Sequence, residues 1–330
     1  MKVAVVGGGF GARVVAPVFE QTDGCDVAGV VSARDDDAVR ALVTRPDVDL
    51  VSVHSPPFLH ASHVRLALEA RKAVLCDKPF ALDGAEAAEL EREARAAGVL
   101  GLCNFEFRYA PERERLRDLV ADGVFGNLEH VQISHWSSGT RVPLRPWGWL
   151  FDRALGGGWI GAWGSHAIDM LRWTFGVEVV DVEGRLRIDV RERPDRDGTM
   201  HTCTAEDGFT ASLTLSDGAT VTIDSGFGAA ATLPSRITVF GSAAVGELVG
   251  ESRFMIRRPN EPRETIDLPH DAAADAHLAP MRRFAEVVRD AVHAGEAPPH
   301  VPTFADGRAC DAVLEQLRAQ PFVPAVPDVG

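Results

Sequence analysis

Lysine is scarce in this chain: of its 34 Lys+Arg residues, only Lys2, Lys72 and Lys78 are lysine. The scarcity marks Lys78 in Asp77-Lys78-Pro79. Arginine serves equally well as a solvated charge but cannot release a proton near neutral pH, whereas a lysine with a lowered pKa can. Positive charge is short overall, with a net charge of −14 and no basic stripe, which excludes nucleic acid and anionic membrane surfaces as partners. The cysteines Cys25, Cys76, Cys103, Cys203 and Cys310 lack CxxC spacing, so neither a disulfide framework nor a zinc cluster is expected, and they read as small core residues. No stretch approaches the roughly 18 consecutive apolar residues of a membrane helix, and the apolar run after Met1 meets glycine too soon for a signal peptide. A cytoplasmic location is expected. Internal repeats, low-complexity segments and G-x-S-x-G are missing as well.

What is present is an ordinary globular composition, 45 % apolar and 25 % charged over 330 residues, with room for two domains. In the first half, apolar runs at Val3–Val6, Val27–Val31, Leu50–Val53, Ala73–Cys76 and Val99–Cys103 alternate with helical patterns, the signature of a parallel sheet wound by right-handed crossovers. After about residue 120 longer strand patterns appear at Leu128–Trp136, Phe209–Leu215, Ala219–Phe227 and Ile237–Phe240, with a turn at Ser216-Asp217-Gly218. The expected fold is α/β: a wound parallel-sheet domain over 1–118 and an α+β domain with a mainly antiparallel sheet over 119–330, whose last helix packs back on the first domain.

Gly7-Gly8-Gly9-Phe10-Gly11-Ala12 follows the first strand directly. In G-x-G-x-x-G/A the first glycine permits a tight turn, the second admits a pyrophosphate, and the small third residue lets the helix pack closely. Gly7, Gly9 and Ala12 suit these roles. Ser32-Ala33-Arg34, at the end of the second strand, lean toward NADP because a basic side chain accommodates a 2′-phosphate; NAD remains open, and Asp35, Asp36 and Asp37 just beyond also suit a helix cap.

Together with Ser55-Pro56-Pro57-Phe58-Leu59-His60, Asp77-Lys78-Pro79, Asn104 with Arg108, and Gly156-Gly157-Gly158 running to Gly164-Ser165-His166, the glycine turn resembles the Gfo/Idh/MocA oxidoreductases over nearly the whole length. The resemblance implies a Rossmann domain, a large open C-terminal sheet that forms homodimers or homotetramers, and hydride transfer between NAD(P) and a hydroxyl or keto carbon of a sugar or cyclitol. The residues expected at the cofactor are Gly7, Gly9, Phe10, Gly11, Ala12, Ser32, Arg34, Ser55, Pro56, His60, Asp77 and Lys78; at the substrate the resemblance gives Asn104, Arg108 and His166, and the local tryptophans add Trp149 and Trp163. Lys78 and His166 form the catalytic pair. Lys78 is expected to position nicotinamide and substrate while His166 exchanges the proton, or the reverse.

Two departures from the family stand out. Ala162 occupies the place of the usual aspartate four residues before His166; Asp169, three residues after it, matches a family aspartate outside the catalytic pair. Between Val31 and Leu50 there is room for one short helix, so about one strand and one helix of the Rossmann half are missing. Trp147, Trp149, Trp159 and Trp163 suit either an aromatic wall for a sugar ring or core packing. His60 and His63 lack a third ligand, so no metal is expected. A non-catalytic dinucleotide-binding sensor and an NAD-assisted lyase or glycoside hydrolase are the alternatives.

Overall fold

The strand β1 (Lys2–Val6) is an almost unbroken apolar run, which only a strand covered on both faces can bury. The structure, a computed structural model, describes residues 1–250, 252–268 and 275–323. From β1 the chain passes through the glycine turn into a π-helical turn at Gly11–Val15 and then α1 (Ala16–Glu20). There follow β2 (Asp26–Val31), α2 (Asp36–Val43), β3 (Leu50–Val53), α3 (His60–Glu69), β4 (Ala73–Cys76), α4 (Gly84–Ala97) and β5 (Gly101–Cys103). The strands are parallel in the order β2-β1-β3-β4-β5. A complete dinucleotide-binding sheet runs 3-2-1-4-5-6, so the outer strand is the one missing, and β2 is an edge. This is the shortened Rossmann sheet expected from the spacing of Val31 and Leu50.

Local chemistry fixes the helix starts. Asp35 caps α2 by accepting the Ala38 N–H at 3.0 Å. Asp83 accepts the Glu86 N–H at 2.8 Å while the Glu86 carboxylate accepts the Leu82 N–H at 3.0 Å, a reciprocal arrangement that satisfies two otherwise orphaned donors.

Beyond α5 (Pro111–Ala121) come β6 (Leu128–Trp136), a π-helical turn at Ile160–Gly164 leading into α6 (Ser165–Phe175), β7 (Val179–Arg187), β8 (Glu192–Pro194) and β9 (Met200–Thr202). Then follow β10 (Gly208–Leu215), β11 (Thr220–Gly226), β12 (Arg236–Gly241), β13 (Val245–Val249), β14 (Arg253–Arg257), β15 (Glu264–Asp267), α7 (Leu278–Ala294) and α8 (Phe304–Arg318). The larger sheet runs β15-β14-β13-β12-β6-β11-β10-β7. It is antiparallel except where β6 pairs in parallel with β11; β8 and β9 form a separate hairpin.

Two compact units emerge. The first comprises Met1–Glu114, Ser165–Trp173 and Asp271–Ala312, the second Arg115–Gly164, Thr174–His270 and Val313–Gly330. In the first, Val3 and Val5 of β1, Phe19 of α1, and Met281, Phe284 and Val288 of α7 share one core. In the second, β10 buries Phe209, Ala211 and Leu213 and turns Thr210 and Ser212 outward, the period of two expected of a half-buried strand.

Candidate active site

Each glycine of the first turn has its own geometry. Gly7 sits at φ +142°, and a Cβ there would lie 2.4 Å from the His54 carbonyl oxygen, so both backbone and space demand glycine. A Cβ on Gly9 would meet nothing within 4 Å, leaving that backbone open to a bound phosphate. The tight helix-to-strand approach falls at Gly11, where a Cβ would press on His54 Cβ at 3.0 Å and Val5 at 3.1 Å, one residue before Ala12. At the end of β2, Arg34 is exposed and makes no ion pair among the described residues, while Asp35 is committed to its cap. Ser32 accepts the Arg34 N–H at 3.3 Å.

A polar network crosses the C-terminal ends of β3, β4 and β5. His54 Nε2 lies 2.7 Å from Ser52 Oγ and His54 Nδ1 lies 3.3 Å from Asp77 Oδ2. Asp77 Oδ1 accepts the Lys78 N–H at 3.0 Å and the Asn104 amide at 3.3 Å. Burial acts to raise the Asp77 carboxyl, yet the His54 hydrogen bond and charge, with Lys78, bring it below the ordinary carboxylate range. Asn104 is buried, and its Oδ1 has no partner.

His60, expected at the cofactor, is buried with its ring between backbone carbonyls. Its Nε2 faces the Ser55 carbonyl at 2.7 Å and its Nδ1 the Pro79 carbonyl at 3.0 Å. A neutral imidazole carries one N–H, so the ring donates to one of these carbonyls at a time while lying between the Ser55-Pro56 loop and the segment after Lys78. Ser55 Oγ, likewise, lies 3.1 Å from His63 Nδ1. Among the described residues no group of three metal-ligating side chains occurs.

His166 lies at the start of α6, 6 % exposed, with the Phe107 ring 4.4 Å away and Phe105 edge-on at 6.3 Å. Its Nε2 is buried without a hydrogen-bond partner. Burial first, then the positive charges of Lys78, His277 and Arg113, hold the imidazole well below its usual range. Phe107 also stacks on His277 at 4.9 Å, and Phe10 meets His277 edge-on at 5.1 Å. His277 Nδ1 is 2.7 Å from Oε1 of Glu106, a residue only 1 % exposed. Burial opposes its charge, but the Glu106 hydrogen bond and carboxylate raise the His277 imidazole above its ordinary value. Glu106 and His277 are the members that sequence reasoning missed. The one signal was a carboxylate set between Phe105 and Phe107.

Arg108, expected at the substrate, lines a small cavity with His166 and is held there by carboxylates. Its Nε and Nη2 donate to Asp169 at 2.9 and 2.5 Å, Nη2 also to Asp306 at 3.0 Å, and Nη1 to the His300 carbonyl at 3.0 Å. Burial works against its charge, but Asp169 and Asp306 together hold the guanidinium above its usual range. Asp169 is therefore engaged as the partner of Arg108.

In the second unit the tryptophans pack on one another and on histidines. Trp159 stacks on Phe227 at 4.3 Å and on Trp163 at 5.9 Å, Trp163 on His135 at 4.9 Å, and Trp147 on His201 at 4.3 Å. Trp149 and Ala162 pack against Leu150, Phe151, Cys203 and Phe227. Ala162 thus sits where a carboxylate would be set into an apolar cluster, a costly burial without a partner.

A parallel sheet with an open glycine turn at its first strand and a lysine-histidine pair in the same unit defines an NAD-binding oxidoreductase of the Rossmann class. Residues 1–105 match the sequence profile described as "Oxidoreductase family, NAD-binding Rossmann fold" and residues 114–245 that of the GFO/IDH/MocA C-terminal domain. The chain belongs to the GFO/IDH/MocA family. Relatives include an uncharacterized oxidoreductase of Synechocystis, 34 % identical over 66 % of this chain and 63 % of its own length. Another is the dTDP-3,4-didehydro-2,6-dideoxy-alpha-D-glucose 3-reductase of Actinomadura kijaniata, 30 % identical over 65 % of this chain and 68 % of its own. The match therefore spans about two thirds of either relative. Levoglucosan dehydrogenase in complex with NADH shares the fold, with a TM-score of 0.83, 18 % identity and 96 % of each chain covered. Among the described residues no helix is long and apolar enough to cross a membrane.

Proposed function

We propose that the protein is an NADP(H)-dependent oxidoreductase that moves a hydride between nicotinamide and a hydroxyl or keto carbon of a sugar, cyclitol or similar polyol. The observation that carries this reading is the buried His166 with its unpartnered Nε2, close enough to Lys78 to feel its charge, in the unit that holds the open glycine turn. A buried donor or acceptor left unpaired costs about 1–3 kcal/mol, which a substrate oxygen bonded there would offset. The bound nicotinamide supplies the hydride acceptor or donor. As an alcohol is oxidised, the hydroxyl proton passes to the Lys78 amine; as a ketone is reduced, the Lys78 ammonium returns it. His166, kept neutral chiefly by burial, holds the substrate oxygen by a hydrogen bond. That reverses the division of labour in which His166 carries the proton.

Exposed Arg34 supports the choice of NADP, and the sugar named for the Actinomadura relative supports the substrate class. The test is fluorescence titration with NADPH and NADH, followed by reduced-nicotinamide absorbance against a panel of sugars and cyclitols. Binding of NADPH in preference to NADH, lost in Arg34→Ala, with stoichiometric cofactor turnover, supports the reading. Failure to bind either nucleotide refutes it, and product without net change in cofactor redox state points to a lyase.

A further inference from the structure

The Glu106–His277 pair exchanges no proton with the substrate in the chemistry above, yet its imidazole meets the phosphate turn through Phe10. Phe10 lies between Gly9 and Gly11, and its ring edge meets the His277 ring with centroids 5.1 Å apart. On its other side His277 stacks on Phe107 at 4.9 Å and 22°, the ring that also packs on His166. The imidazole is therefore held between the glycine turn and the Lys78–His166 pair. Its Nδ1 is taken by Glu106 at 2.7 Å, which leaves Nε2 for a ligand, and 35 % of the side chain is exposed. Arg13, a cation of the same turn, directs its Nε to the Gly9 carbonyl at 3.4 Å.

We propose that His277 is an anion contact for the diphosphate of the bound dinucleotide, held in place by Glu106. The inference rests on the cofactor reading given above. The charged groups acting on His277 are Glu106 from the turn after β5, Lys78 from the loop after β4, and Asp275 on its own segment; His277 acts in turn on His166 of α6. Glu106 keeps the imidazole protonated to higher pH than an isolated histidine. An imidazolium N–H binds a phosphate oxygen as a charge-assisted hydrogen bond, and the neutral ring loses most of that attraction. Dinucleotide affinity then weakens as pH rises through the His277 titration.

The experiment titrates NADPH, ADP-ribose and 2′-AMP into the full chain and into His277→Gln and Glu106→Gln between about pH 6 and pH 9. Thermal melts check that each variant is folded. ADP-ribose carries the diphosphate without nicotinamide, and 2′-AMP carries neither. The wild type is expected to bind NADPH and ADP-ribose roughly tenfold more tightly at the acid end than at the alkaline end. His277→Gln should be flat with pH and weak for both, with 2′-AMP binding unchanged. Glu106→Gln should keep the pH dependence with its midpoint moved to lower pH, a displacement that general disruption of the fold would not produce. Equal ADP-ribose affinity in wild type and His277→Gln at low pH overturns the contact, as does an equal loss for 2′-AMP. Absence of any dinucleotide binding by the wild type overturns the cofactor reading and the contact with it.

Discussion

Lys78 and His166 differ in what their surroundings do to a proton. His166 is enclosed by Phe105 and Phe107 and faces the charges of Lys78, His277 and Arg113. These surroundings hold it well below the ordinary imidazole value, and kcat/KM should show no inflection assignable to it near that value. His166→Gln should lower kcat/KM by roughly 10- to 100-fold, mostly through kcat, with the pH profile otherwise unchanged in shape. Lys78→Arg and Lys78→Met should each reduce turnover by at least about a thousandfold while fluorescence titration finds NADPH affinity little altered. An active Lys78→Arg enzyme would mean that the site requires charge at this position rather than proton exchange.

Two substitutions separate structure from ligand in the turn after β1. Gly7→Ala forces a side chain into φ +142° and against the His54 carbonyl, so a clear drop in melting temperature is expected along with lost binding. Gly9→Ala meets nothing in the protein; its melting temperature should match the wild type while NADPH affinity falls, since the new methyl occupies the approach of the phosphate. At α6 the Arg108–Asp169 pair ties the turn after β5 to the helix that carries His166. Asp169→Asn leaves Arg108 buried with one carboxylate fewer, and denaturant unfolding should register a loss of about 3–5 kcal/mol.

The pH dependence of stability belongs to the whole molecule. Burial holds His60, His63 and His166 below their ordinary values. Below about pH 6.5 the unfolded chain binds protons at these sites that the folded chain refuses, so stability falls as the solution is acidified. His277 is raised and works oppositely: its contribution is full below about pH 6.5 and disappears as pH climbs through its folded value. Asp169, Glu206 and Asp207, whose carboxyls burial raises, also work oppositely. The sign is therefore read on a variant: from pH 7 to pH 5 the melting temperature of His277→Gln should change in the destabilising direction relative to wild type, and parallel profiles would contradict the raised His277.

The sequence by itself determined the wound sheet and its phosphate turn, because both are local. Apolar runs broken at regular intervals can only be buried strands, and Gly7 and Gly9 answer to backbone constraints within a few residues. The missing outer strand was equally legible, since too little chain separates Val31 from Leu50 to form it. Tertiary structure alone decided the use of the polar residues. Nothing near Arg108 in the sequence announces that Asp169 and Asp306 accept from its guanidinium, and nothing near His60 announces that its ring lies between the carbonyls of Ser55 and Pro79. His277 carried no motif at all. Its place beside Phe10 and Glu106 arises only because α7 packs on the core of β1 and α1, and a side chain's charge and hydrogen-bond partners are set by such long-range packing.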